Sequence, residues 1–158
     1  MRSSAPEPGG SGREAERFAG MEGSANERLN REGFAAWNSG DWDEALARLH
    51  PEIEWHIAFR LPDLPPDMTV ARGHDQVRQV WDAFGSAWEE IRVDIEEVLH
   101  DVGDTLVTRA RFRGRGAGSG IEVDRTLFYV AEVRDDKLWR LRPFDSLGEA
   151  RRAAGIDA

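Results

Sequence analysis

Large apolar side chains fall at helical spacing early in the chain and alternate later. Leu29, Gly33, Ala36 and Trp37 share one helical face, and Trp42, Ala45, Leu46 and Leu49 share another. After them Ile53, Trp55 and Ile57 alternate, which predicts a strand. The boundaries agree with this pattern. Ser24 with Glu27 and Asp41 with Glu44 are spaced as capping boxes, Asn38-Ser39-Gly40 ends the first helix, and Pro51 is expected to stop the second. A third helix is expected from near Gly73, with Val77, Val80, Trp81, Phe84 and Trp88 on one face. The pattern then becomes β through Ile91–Ile95, with a bulge at Glu96-Glu97, and through Leu106–Phe112, Ile121–Val133 and Lys137–Phe144. Ser146 and Glu149 cap a last short helix that Gly155 ends. Helices first and sheet second predict an α+β fold. The connection FRLPDLPPDMTVARG is too polar for a core element and is read as a lid, the alternative being a disordered excursion.

Composition narrows the function classes. A 158-residue chain is expected to form one core, placed at residues 24–155. Residues 1–22, rich in Gly, Ser, Pro and charge, are expected to be a disordered leader, with Met21 an alternative start. A net charge of -9 repels phosphate backbones and anionic lipid, so neither nucleic acid nor membrane is an expected partner. Without cysteine there is no disulfide, thiolate metal site or cysteine nucleophile. With no apolar run of spanning length and no signal-type leader, a cytoplasmic location is expected.

Four segments carry a family resemblance: WNSGDWDEAL at the helix pair, HPEIEWH entering the first strand, RGHDQVRQVW opening the third helix, and VRDDKLWRLRPFD across the last hairpin. Together, over residues 24–155, they resemble the SnoaL-like branch of the nuclear transport factor 2-like superfamily. The resemblance implies a cone-shaped α+β barrel, with N-terminal helices packed in the concave face of a curved, mostly antiparallel sheet. It also implies a pocket for a hydrophobic small molecule, no cofactor, and a homodimer through the sheet's outer face, where Phe128, Val130 and Leu138 are expected. The chemistry so implied is of the acid–base isomerase, cyclase or dehydratase type. The alternative is a non-catalytic binding or dimerisation module, since one fold hosts many functions.

Alternation and charge matching assign the strand faces. Pairing Arg113 with Glu122 and Arg111 with Asp124 makes a charged outer row, and Arg109 then faces Thr126. The inner row joins Phe112 to Val123, Ala110 to Arg125, Thr108 to Leu127 and Leu106 to Tyr129. In VRDDKL, a three-residue turn with Asp136 left-handed would set Tyr129 against Leu141, Ala131 against Trp139, Leu127 against Pro143 and Arg125 against Asp145. A two-residue Asp-Asp turn would instead turn Arg140, Arg142 and Phe144 inward. The first register makes Arg125, Tyr129 and Asp145 the candidate catalytic residues, with His56 a further acid–base candidate; the alternative is that Arg125 and Asp145 form a structural ion pair. It makes Trp55, Ile57, Val80, Trp81, Phe84, Leu127 and Leu141 the candidate ligand contacts.

A ketosteroid isomerase of the resembled fold has a tyrosine, a base and a protonated aspartate where this chain has Gly33, Ile57 and Tyr129, so that activity is not expected. The epoxide hydrolases of the fold need a carboxylate where Leu127 stands. His50, Glu52, Glu54 and His56 share parity, as metal ligands on one strand would, but are expected to face away from the pocket, and no metal site is assigned. RARFRGRG reads as a charged β-ladder rather than a nucleic-acid segment, and GRGAGSG, with no helix after it, as a hairpin tip.

Overall fold

The computed structural model describes residues 23–59, 61 and 63–156; the expected leader at 1–22 lies outside them. Its helices are α1 (Ala25–Asn38), α2 (Trp42–Ala47), α3 (Gly73–Ala87) and α4 (Leu147–Ala153). The three capping pairs form. The side-chain oxygens of Ser24, Asp41 and Ser146 accept the amides of Glu27, Glu44 and Glu149 at 3.0, 3.2 and 3.1 Å. Each satisfies a donor that a first helical turn leaves without an intrahelical partner. Gly40, at φ +83°, supplies the left-handed step that folds α2 back from α1.

The strands are β1 (Leu49–His56), β2 (Val70–Arg72), β3 (Trp88–Val102), β4 (Thr105–Gly116), β5 (Glu122–Arg134) and β6 (Lys137–Phe144). They form one sheet in the order β2-β1-β6-β5-β4-β3, antiparallel except at β1–β6. Helix α2 ends at Ala47, and β1 begins before Pro51 rather than after it. The proline lies where the β1–β6 register slips between Leu49 and Glu54, the part of a ladder least harmed by a missing N–H. Trp88 opens β3 at φ -131° instead of continuing the α3 stripe, whose Val77, Val80, Trp81 and Phe84 are buried. The proline-rich connection is less polar in effect than its composition suggests: Leu61 and Leu64 are buried, and Ala71 of β2 is fully so.

Both hairpin registers differ from expectation; the faces of β4 and β5 are kept, whereas on β6 Leu138 turns into the core and Trp139 out of it, against expectation. In β4–β5, Arg113 pairs with Asp124 and Arg115 with Glu122. The ladder closes two residues further into the glycine-rich tip, and an even slip leaves each side chain on its side. Arg111 still reaches Asp124, at 2.5 Å, and Arg113 finds Asp94 on β3 at 2.9 Å.

In β5–β6 the turn is the two-residue one, with Asp135 and Asp136 both left-handed at φ 54° and 62°. Arg134 meets Lys137 and Val133 meets Leu138; the ladder then slips, so that Glu132 meets Arg140, Ala131 meets Leu141 and Tyr129 meets Pro143. The bulged residue is Trp139, whose ring lies under Arg134 and Arg140 at 3.9 and 4.9 Å. The bulge reverses the parity set by the turn, so Leu141 is core and Arg140 and Arg142 stay outside with Glu132. Asp145 follows the end of β6 and is no ladder partner of Arg125.

The main core lies between the helices and the concave face of the sheet, around Ile53, Trp81, Phe112, Leu127 and Leu141. A second, smaller core lies on the other face, where α4 covers Val107 and Val130 with Ala150. Two residues expected on an outward dimer surface are therefore covered by the chain itself: Val130 is fully buried under α4, and Leu138 sits in the main core.

Candidate functional site

The interior of the cone is walled by aromatic side chains. Helix α1 turns Asn30, Gly33, Phe34 and Trp37 inward at i, i+3, i+4 and i+7. Two small voids of about 20 Å³ each remain. The deep one lies among Asn30, Trp37, Trp55, Trp81 and Leu141. The one nearer the mouth lies among Trp55, Phe59, Phe84, Phe112 and Tyr129. Phe34, Trp37 and Trp55 line both.

Phe59, from the proline-rich connection, is the stopper. Its ring centre lies 4.6 Å from that of Phe112, 6.3 Å from Phe84 and 6.4 Å from Trp88, and Arg125 stands over it at 4.8 Å. Beyond Phe59 the same connection forms an open groove of about 560 Å³ with Leu61, Leu64, Pro65 and Met68 in its walls. Ala58 and Phe59 line both the groove and the void nearer the mouth.

The interior is apolar but not without hydrogen-bonding groups. Asn30 and Thr108 are fully buried. Neither atom of the Asn30 amide, nor Thr108 Oγ1, Trp37 Nε1 or Trp81 Nε1, has a hydrogen-bond partner among the described residues. Leaving such a group without a partner costs about 1–3 kcal/mol, so the three residues on the wall of the deep void, Asn30, Trp37 and Trp81, call for an occupant there. Thr108 pairs across the ladder with Tyr129, whose ring packs on Phe34 at 5.5 Å. Burial pushes the Tyr129 phenol well above its ordinary pKa, and the opposing field of Arg125 is weaker. The hydroxyl is therefore a proton-bearing donor at neutral pH.

The sequence-derived candidates fall into separate places. Trp55, Trp81, Phe84, Leu141 and Tyr129 line the interior. Val80 and Leu127 are buried core residues, and Leu127 also backs a groove at the rim. Ile57 lines that rim groove and the outer groove. Arg125 and Asp145 meet, at 2.5 Å, in the rim groove, with side chains 39% and 76% exposed. They are not with Tyr129 around the inner cavities. Trp139 is outside the cone and packs with neither Trp55 nor Trp81.

Asn30 and Phe59 were not among the candidates. A polar residue four positions before Phe34 and seven before Trp37, on the inward stripe, is the signal that marks Asn30. Phe59 carries no comparable pattern, because its place depends on the path of an irregular segment.

The histidines lie in different places, and His56, expected to face away from the pocket, lines the void nearer the mouth, its Nε2 without a hydrogen-bond partner among the described residues. His74 Nε2 lies 2.9 Å from the Leu49 carbonyl oxygen, and His50 Nε2 lies 3.2 Å from Asp135. Glu54 binds Arg72 at 2.9 Å. His56 Nε2 is buried 3.7 Å from Glu54, and burial, then Arg142, lowers its pKa. Among the described residues no three His, Asp or Glu side chains converge as metal ligands would.

The model of the SnoaL-like domain matches residues 30–141, well over half of the chain. The chain belongs to the SnoaL-like family. This is a small-molecule-binding or isomerase-type family. Solved structures share the fold. One is an NTF2-like protein of unknown function from Burkholderia pseudomallei K96243, 20% identical over 82% of this chain and 97% of that one, with a TM-score of 0.66. TerC, co-crystallised with polyporic acid, is 17% identical over 82% and 97%, at a TM-score of 0.64. A hypothetical protein with a ketosteroid isomerase-like fold from Catenulispora acidiphila DSM 44928, in complex with trimethylamine, is 13% identical over 82% and 93%, at 0.63. No curated protein matches the SnoaL-like chain. No described helix is long and apolar enough to cross a membrane.

Proposed function

We propose that residues 24–155 bind an uncharged, largely hydrophobic small molecule inside the cone, with Phe59 as the gate. The observation that carries this reading is the set of unpartnered buried polar atoms among aromatic walls. Neutral donors and acceptors in an apolar cavity suit a ligand whose polar atoms replace water one for one, and they offer nothing to a buried charge. The outer groove would take the part of the ligand that the interior cannot hold.

A second reading, acid–base catalysis of the isomerase, cyclase or dehydratase type, is favoured by Tyr129, a protonated phenol facing the cavity. In it Tyr129 keeps its proton and donates a hydrogen bond to a ligand oxygen that gains charge in the reaction. Asp145, at the exposed rim, would be the base for a ligand reaching through the mouth. Steroid isomerisation is not proposed, because Gly33 lines the deep void with no hydroxyl and Ile57 offers no base.

Titration of the full chain with Nile red, a neutral dye, followed by tryptophan quenching tests the binding reading. Saturable quenching, with faster entry in Phe59→Ala, is expected; no saturable response in either protein would overturn it. Turnover of a bound ligand that is lost in Tyr129→Phe, with binding retained, would establish the second reading over the first. A cytoplasmic, cofactor-independent homodimer with neither nucleic acid nor membrane as partner completes the proposal, supported by charge and family; a strict monomer by sedimentation at micromolar concentration would remove the dimer.

A further inference from the structure

We infer that the deep end of the cavity recognises a single hydroxyl group, so that the ligand is a hydrophobic alcohol or phenol. This inference rests on the reading of the interior as a small-molecule site and adds the class of molecule. It follows from size and from counting donors and acceptors. A void of about 20 Å³ holds roughly one water-sized group, hence one heavy atom with hydrogens. Three residues on its wall carry buried polar atoms without partners: Asn30, Trp37 and Trp81.

The two indoles can only donate. The Asn30 amide offers a donor and an acceptor, and both its atoms lack partners, so the count is the same whichever way the amide is turned. The wall therefore asks for one atom that accepts from N–H groups and also donates to a carbonyl oxygen. A hydroxyl does both, accepting from two of the three N–H groups and donating to Asn30 Oδ1, which leaves one donor over and fewer unmatched groups than any of the alternatives. A ketone oxygen accepts but leaves Asn30 Oδ1 unmatched, an ether fails in the same way, and an ammonium meets the N–H donors head on. A carboxylate is too large for the void and would be buried without a cation, since no basic side chain lines it. A site built to hydrogen-bond a hydroxyl discriminates strongly against the analogue lacking it, because its own buried groups are then left unpaired.

The test compares 4-ethylphenol with ethylbenzene, titrated into the full chain and into Phe59→Ala, which provides room for a ring at the mouth. Binding is read by tryptophan fluorescence and by calorimetry. The phenol is expected to bind at least about tenfold more tightly. Asn30→Leu, close in size and without polar atoms, should bring the ratio near one. Trp81→Phe, which removes one donor, should lower it in part and serves if Asn30→Leu fails to fold. Ethylbenzene binding as tightly as the phenol, or a preference that survives both substitutions, would overturn the hydroxyl subsite while leaving the binding site standing. Binding of neither compound to either protein would overturn the site and the subsite together.

Discussion

The guanidinium of Arg125 stands 4.8 Å from the centre of the Phe59 ring. The same group reaches Asp145 at 2.5 Å, so one side chain joins the stopper of the cone to the end of the sheet. A cation over an aromatic face contributes about 0.5–1 kcal/mol at an exposed site. That is enough to bias a gate and too little to lock it.

Replacing the stopper should uncouple access from stability. In Phe59→Ala the packing against Phe84, Trp88 and Phe112 is lost, and a destabilisation on the order of 1–3 kcal/mol is expected for a partly buried ring. Acrylamide quenching of the interior tryptophans should rise in the native state. Chemical denaturation and quenching on the same samples check both.

The latch should behave as a surface ion pair. Because both side chains are substantially exposed, Arg125→Met and Asp145→Asn should each cost less than about 1 kcal/mol by denaturation, against about 3–5 for breaking a buried pair. Arg125→Met should nevertheless speed entry of a neutral dye, measured by stopped flow. Unchanged entry would show that Phe59 is held by its aromatic contacts alone.

Glu132 gives the acid limb a definite sign. Burial pushes its carboxyl upward, but hydrogen bonds and charge from Arg140, with Arg142 behind it, outweigh this and hold it below the usual carboxylate range. The folded state therefore binds its proton less readily than the unfolded chain does. The stability so contributed is present above the unfolded pKa of about 4.3 and is lost as pH falls through the lower folded value. Glu132→Gln should cost about 1–2 kcal/mol at neutral pH and flatten the acid limb of a stability–pH profile.

The last hairpin holds a removable strain. Asp136 is left-handed at φ 62°, which costs an L-residue roughly 1 kcal/mol relative to glycine. Asp136→Gly should raise stability by up to about 1 kcal/mol, visible as a higher denaturation midpoint with unchanged slope. Asp135 is left in place because it approaches His50 at 3.2 Å.

What the chain determines locally was legible in it. The three caps, the inward stripe of α3 from Val77 to Phe84 and the bulge near Glu96 each depend on residues a few positions apart, so spacing alone predicts them. The faces of β4 and β5 followed too, since alternation survives any even slip in register. The α+β cone followed from the order of elements and the family segments. The site was decided by tertiary structure. Trp139 leaves the ladder and reverses the parity of β6, an event that turn chemistry at Asp135 and Asp136 does not announce. The placing of Phe59 in the mouth goes with the burial of Leu61 and Leu64 rather than with any period. Asn30 lies without a hydrogen-bond partner only because Trp37, Trp55 and Trp81, from three different elements, close around it. Local pattern fixes which way a side chain points along its own element, whereas a cavity and its unmatched donors exist only once distant elements meet.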